Sequence, residues 1–117
     1  MSETLDMHDI IAVQLDPYGN GIARKGPQTG THWLIQGCSV AVSTNGLEAK
    51  CYVYKTFQGP NLPLPHQQVG STVVGSTGTS FGPGITIYPG HELAAIWSAG
   101  DPFSTATLTF WGSKVIE

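Results

Sequence analysis

Charge is scarce in this chain: 11% of its 117 residues are Asp, Glu, Lys or Arg, about half the usual share of a soluble domain. Five basic residues stand against eight acidic ones, and Arg24-Lys25 is the only adjacent basic pair. Phosphate backbones are held by clustered Lys and Arg, so nucleic acid is not expected as a partner. Apolar runs are short as well: none approaches the ~18 residues of a membrane-spanning helix, and no membrane partner is expected. The opening Met1-Ser2-Glu3-Thr4-Leu5-Asp6 is polar and acidic rather than a secretory leader, which points to synthesis in a cytoplasm. Cysteine is limited to Cys38 and Cys51, and a cytoplasmic origin favours free, buried thiols.

Chemistry-bearing patterns are equally thin. The histidines His8, His32, His66 and His91 lack the short spacings of zinc ligands, so no metal site is expected. No Gly-x-Ser-x-Gly elbow, phosphate loop or calcium loop is read in the chain. Acid–base catalysis needs two close carboxylates or a nucleophile beside a base. Asp16, Glu48, Glu92 and Asp101 instead stand in turns or at strand ends, where carboxylates commonly bond backbone or meet solvent. The expectation is a protein with no catalytic residues, no cofactor and no enzyme activity.

What the chain does have is glycine (15), proline (8) and abundant serine and threonine. Its length suits one domain, able to bury roughly two thirds of its extended surface. The clearest signal runs from Gly84 to Lys114. Ile85-Thr86-Ile87-Tyr88 are β-branched or aromatic, and Pro89-Gly90 suits a type II turn. Leu93, Ala95 and Trp97 then share one face, while Glu92, Ala94, Ile96 and Ser98 share the other. Both faces are mostly apolar, which predicts a central strand. Past the turn formers Ser98 to Ser104, Ala106, Leu108 and Phe110 alternate with Thr105, Thr107, Thr109 and Trp111.

Earlier segments follow the same grammar. Residues 1–18 read as an N-terminal arm that could dock on another subunit, with Ile10 to Val13 offering an edge strand; residues 19–117 read as the sandwich domain. Asp16 to Gly21 is a dense turn signal. Ile22-Ala23-Arg24 and Trp33-Leu34-Ile35 are predicted to pair as a hairpin around Gly26 to Gly30. Apolar parity switches from Trp33 and Ile35 to Cys38, Val40 and Val42, which predicts a β-bulge at Gly37. Asn45-Gly46 is a type I′ dipeptide and predicts a hairpin between Cys38–Ser43 and Glu48–Lys55. A two-residue turn there makes Cys38 and Cys51 diagonal neighbours, about 7 to 8 Å apart and beyond disulfide reach; a longer loop from Ser43 to Gly46 would bring them into register. From Gln58 to Gly84 only Val69 to Val74 resembles a strand. The sum is an all-β, antiparallel β-sandwich, jelly-roll or immunoglobulin-like, of seven or eight strands without substantial helix.

Aromatic rings are the one feature suited to a ligand. Parity places Trp33 and Trp97 in the core and leaves Trp111, Tyr52 and Tyr54 as candidate interface or ligand-contact residues. A subunit interface is the favoured use, and a sugar-stacking platform the alternative.

The order of Gly21-Ile22-Ala23-Arg24 before Gly26-Pro27, Trp33-Leu34-Ile35, Cys38 to Thr44, Cys51-Tyr52-Val53-Tyr54, Ile85 to Trp97, Ala106-Thr107-Leu108-Thr109 and Gly112 resembles a family of small β-sandwich proteins of tailed bacteriophages, especially phages of actinobacteria. The likeness covers roughly residues 19 to 114. It implies a virion protein made in the host cytoplasm, a capsid decoration protein first and a minor tail protein second, contacting major capsid or tail proteins. It also implies a homo-oligomer, with a trimer suited to a capsid three-fold axis or a fibre. The chain departs from the family pattern in Thr56 to Gly84, where Pro60, Pro63 and Pro65 make an extended segment. The reading from a different class is a carbohydrate- or receptor-binding module.

Overall fold

A computed structural model describes residues 3–44, 47, 49–59, 62–64, 67–69, 73–74 and 77–117. Eight strands are formed among them: β1 (Glu3–Gln14), β2 (Gly21–Lys25), β3 (Thr31–Val42), β4 (Lys50–Phe57), β5 (Val73–Val74), β6 (Gly78–Ile87), β7 (His91–Ser98) and β8 (Thr105–Ile116). No α-helix occurs among the described residues.

The pairing is nested. β1 pairs with β8, β2 with β7, β3 with β6 and β4 with β5, all antiparallel. Two further ladders, β3 with β8 and β4 with β7, join these pairs into sheets of order β1-β8-β3-β6 and β2-β7-β4-β5. First-with-last pairing distributed over two four-stranded sheets is the jelly-roll arrangement. The fold is therefore an all-β sandwich, and of the two types expected it is the jelly roll.

Alternation fills the space between the sheets. Ala106, Leu108 and Phe110 of β8 and Leu93, Ala95 and Trp97 of β7 point inward and are buried, as are Trp33 and Ile35 of β3 and Cys51 and Val53 of β4. β7 is central, between β2 and β4, and Ala94 on its outer face is buried too. Tyr88 to His91 forms the expected turn: the His91 N–H donates to the Tyr88 carbonyl at 3.0 Å and Gly90 takes φ +93°, as a type II turn requires. At Asp16–Asn20 the carboxylate Oδ1 accepts from the N–H groups of Tyr18 (2.8 Å) and Asn20 (2.9 Å). The register of β3 shifts between Ile35 and Gly37 against both neighbours: Gln36 is the extra residue of the predicted bulge against β8, while against β6 the longer side is residues 81–84 of β6.

Several expectations are overturned. β2 and β3 do not form a hairpin: Ala23 pairs with Ala95 in one sheet, while Trp33 pairs with Ile87 and Lys114 in the other. β3 and β4 are likewise in opposite sheets, so Cys38–Ser43 and the strand through Lys55 are not hairpin partners. In a jelly roll these connections cross the sandwich, and turn residues alone do not distinguish a crossing from a hairpin. Asn45, Gly46 and Glu48 lie outside the described residues. Cys38 and Cys51 face the core from the two sheets and are free thiols. Gly78 to Gly84, read as irregular, is the first part of β6. Its Pro83 lies in the unpaired stretch 81–84 of an edge strand, where no ladder hydrogen bond to β3 is required of it. The edge strand expected at Ile10 to Val13 is present and longer than expected: β1 runs from Glu3, in unbroken register with β8 from Glu3↔Ile116 to Gln14↔Thr105.

Candidate interaction surface

The three candidate rings do not converge. Tyr52 and Tyr54 lie on the outer face of β4, half-buried beside Ile96 and Ala94 of β7. Trp111 lies on the outer face of β8, in the other sheet. The two groups are on opposite sides of the sandwich, so the platform read from the sequence is not assembled. Trp111 is 39% exposed and is supported from one side by Gly37: a Cβ at Gly37 would stand 2.7 Å from its Cζ2. His8 of β1 meets the same indole edge-on, with centroids 6.5 Å apart at 80°. The bulge glycine thus makes the seat of the exposed tryptophan.

The outer faces of the two sheets differ in kind. That of β2-β7-β4-β5 is charged and partly covered. Arg24 of β2 pairs with Glu92 of β7, both side chains mostly buried, and Arg24 Nη2 donates to the Phe57 carbonyl at 3.3 Å. Glu92 was expected to meet backbone or solvent; instead it neutralises a guanidinium. Residues 62–64 and 67–69 lie beside β4. Gln67 Oε1 accepts from the Leu64 N–H (2.8 Å) and from the Thr56 hydroxyl (3.0 Å), leaving Thr56 buried. Leu62 borders a groove of about 360 Å³ with Ile22 and Ile96, which sequence reading missed because the two isoleucines are strangers in sequence. Pro60, Asn61, Pro65 and His66 lie outside the described residues.

The other sheet is open. Along β1, β3 and β8 the outward positions are Thr4, Asp6, His8, Ile10, Ala12 and Gln14; His32, Leu34, Ser39 and Ala41; and Thr105, Thr107, Thr109, Trp111, Ser113 and Val115. Asp6 is the one carboxylate among them and no Lys or Arg joins it, while the Glu117 carboxylate, just past β8, meets His32 at 2.7 Å. The charges of these strands are turned inward or to the seam. Asp9 meets Lys25 at 2.7 Å. Burial raises the Asp9 carboxyl, but hydrogen bonds from Lys25 and the Ile10 N–H, with the charges of Lys25 and Lys114, outweigh it and leave its pKa lowered.

Among the described residues no three of His, Cys, Asp and Glu gather as ligands. Asp16 and Asp101 bind backbone, the latter accepting from the Leu47 N–H at 3.1 Å. Gly78-Thr79-Ser80-Phe81-Gly82 has the Gly-x-Ser-x-Gly spacing of a hydrolase elbow, a spacing the sequence reading passed over. That elbow is a strand-to-helix turn, whereas Ser80 lies within strand β6 opposite Gly37. No protein-family model matches the chain, and no curated protein matches it.

Proposed function

We propose that this is a non-enzymatic structural component of a tailed-phage virion, a capsid decoration protein in the first instance and a minor tail protein in the second. The observation that supports this reading is the open, nearly uncharged outer face of β1-β8-β3-β6. Strands of twelve residues, at about 3.4 Å per residue and about 4.8 Å between strands, make a face of about 800 Å². That matches the roughly 800 Å² per partner of a standard protein interface. Hydroxyl groups, small side chains and one indole can be desolvated there at little cost, because almost no charge has to leave water. The partners are major capsid or tail proteins in a particle assembled in the host cytoplasm.

The test is particle binding. Purified chain is added to particles of the encoding phage that lack it, and cryo-electron microscopy locates the bound copies. Thr107→Lys together with Thr109→Lys, on the proposed docking face, is expected to abolish binding while leaving the folded circular dichroism spectrum intact. Absence of the protein from purified wild-type particles would sink the proposal. A change in the emission of Trp111 on addition of host-wall glycans, with no particle binding, would instead support the carbohydrate-binding reading.

A further inference from the structure

The open side of β1 is a long strand edge, unpaired among the described residues. Natural edges are blunted by bulges, prolines, charged side chains, inward-pointing charges or short length, and of these β1 has only its acidic residues, Asp9 among them bound to Lys25. β1 has twelve residues, no Pro, Gly, Lys or Arg, and no shift in its register with β8. Among the described residues nothing pairs with its second side. The Ile10 N–H, bonded to the side chain Oδ1 of Asp9 at 2.8 Å, marks which amides face outward. Since backbone groups alternate along a strand, Thr4, Asp6, His8, Ile10, Ala12 and Gln14 turn their N–H and C=O groups to the open side. All six side chains are exposed.

We infer that β1 pairs antiparallel with β1 of a second copy of this chain about a two-fold axis at Met7, joining two β1-β8-β3-β6 sheets into one. Directly opposed residues in an antiparallel pair share a face, and this register sets Asp6 of each copy against His8 of the other. Centring the pair one residue later would oppose the two His8 side chains, and centring it on Asp9 would oppose two Asp9 carboxylates. The Met7 register is the one that sets a carboxylate against an imidazole, twice. It also brings the backbone of Thr4 to the Ile10 N–H, releasing Asp9 to Lys25 alone. A symmetric, self-complementary edge selects a second copy over an unrelated strand. The pairing is two-fold and gives a dimer, in place of the trimer that the sequence suggested. It would lay two nearly uncharged outer faces side by side, but it requires nothing of the virion proposal.

The test uses the full chain in solution. Light scattering is expected to give twice the 12.4 kDa chain mass. His8→Pro removes one outward N–H without touching the β8 ladder and is expected to give a folded monomer. Asp6→Lys is expected to raise the dimer dissociation constant about tenfold, from two lost cross-strand pairs, and Asp6→Lys with His8→Glu to restore it. Opposed non-hydrogen-bonded residues are about 4.5 Å apart at Cα, within disulfide range, so Met7→Cys is expected to cross-link on oxidation and Gln14→Cys is not. A monomeric wild-type chain overturns the inference, whatever particles show. So does a dimer indifferent to the Asp6 and His8 exchanges, or one cross-linked through Gln14→Cys in preference to Met7→Cys.

Discussion

Cys38 and Cys51 have no exposed surface, and their burial reaches into the pH dependence of the whole fold. Desolvation disfavours the thiolate, so burial pushes the Cys38 thiol up to about 11 from 9.0. Cys51 is raised by burial first and by the neighbouring Cys38 second. In the unfolded chain both thiols lose their protons near 9.0. Above that pH the native state holds protons that the unfolded state has released, so stability is complete below pH 9 and falls as pH rises toward and past 11. The loss is about 1.4 kcal/mol per thiol for each pH unit in that window. Urea unfolding at pH 8 and pH 10 is expected to show the decline in wild type and a shallower one in a Cys38→Ala, Cys51→Ala double variant. Parallel declines in the two proteins would show that the thiols are not its cause. The same burial predicts that a thiol reagent labels neither cysteine until denaturant is added. At this scale Arg24 and Glu92 matter as well: removing the carboxylate leaves a mostly buried guanidinium without its counter-charge. Glu92→Ala is therefore expected to cost about 3 kcal/mol in chemical denaturation, and a cost near zero would show that the pair is solvated.

Among the elements, β3 shows how one glycine serves two neighbours. Gln36 is the extra residue of the bulge, and Gly37 beside it gives Trp111 its seat. Gly37→Ala would press a methyl into the ring, and overpacking of this kind costs about 1 to 3 kcal/mol. Combining Gly37→Ala with Trp111→Ala is expected to cost less than the two single changes together, because the second removes what the first strikes. Additive costs would mean that the contact carries no strain. The bulge was legible because it reverses the parity of Cys38 and Val40 against Trp33 and Ile35. β7 and β8 were legible for the same reason: burial has a period of two, and so does the chain. Partner strands were not legible. Ile22-Ala23-Arg24 and Trp33-Leu34-Ile35 alternate equally well whether they meet in one sheet or face each other across the core. Gly78 to Gly84 was missed because glycine, serine and proline carry no alternation; within it Gly78 to Ser80 pair with β3, and residues 81–84 fall where the register shifts. The candidate rings failed similarly. Parity correctly turned Tyr52, Tyr54 and Trp111 outward, but outward from which sheet depends on pairings that no local pattern records.

For the molecule as a whole, nesting orders the assembly. The innermost pair joins Cys51 to Val73, the next Ser39 to Gly78, then Lys25 to Leu93, and the outermost Gln14 to Thr105. Each closes a longer loop than the one inside it, at about 0.6 kcal/mol of entropy for each doubling of loop length. An inner pair already formed shortens the loop that the next must close, so closure from the inside outward is the less costly route. β1, which must find β8 across nearly the whole chain, joins last. Substitutions then divide by position. Val53→Ala in β4 is expected to slow folding, with about 0.5 to 0.8 of its destabilisation appearing in the folding rate, while Ile11→Ala in β1 appears almost wholly in faster unfolding, with a ratio of about 0 to 0.3. Stopped-flow folding and unfolding over a range of urea concentrations measures both ratios. Equal ratios would mean that both sheets close together, and a higher ratio for Ile11 would mean that the chain ends meet first and the roll is closed from its mouth.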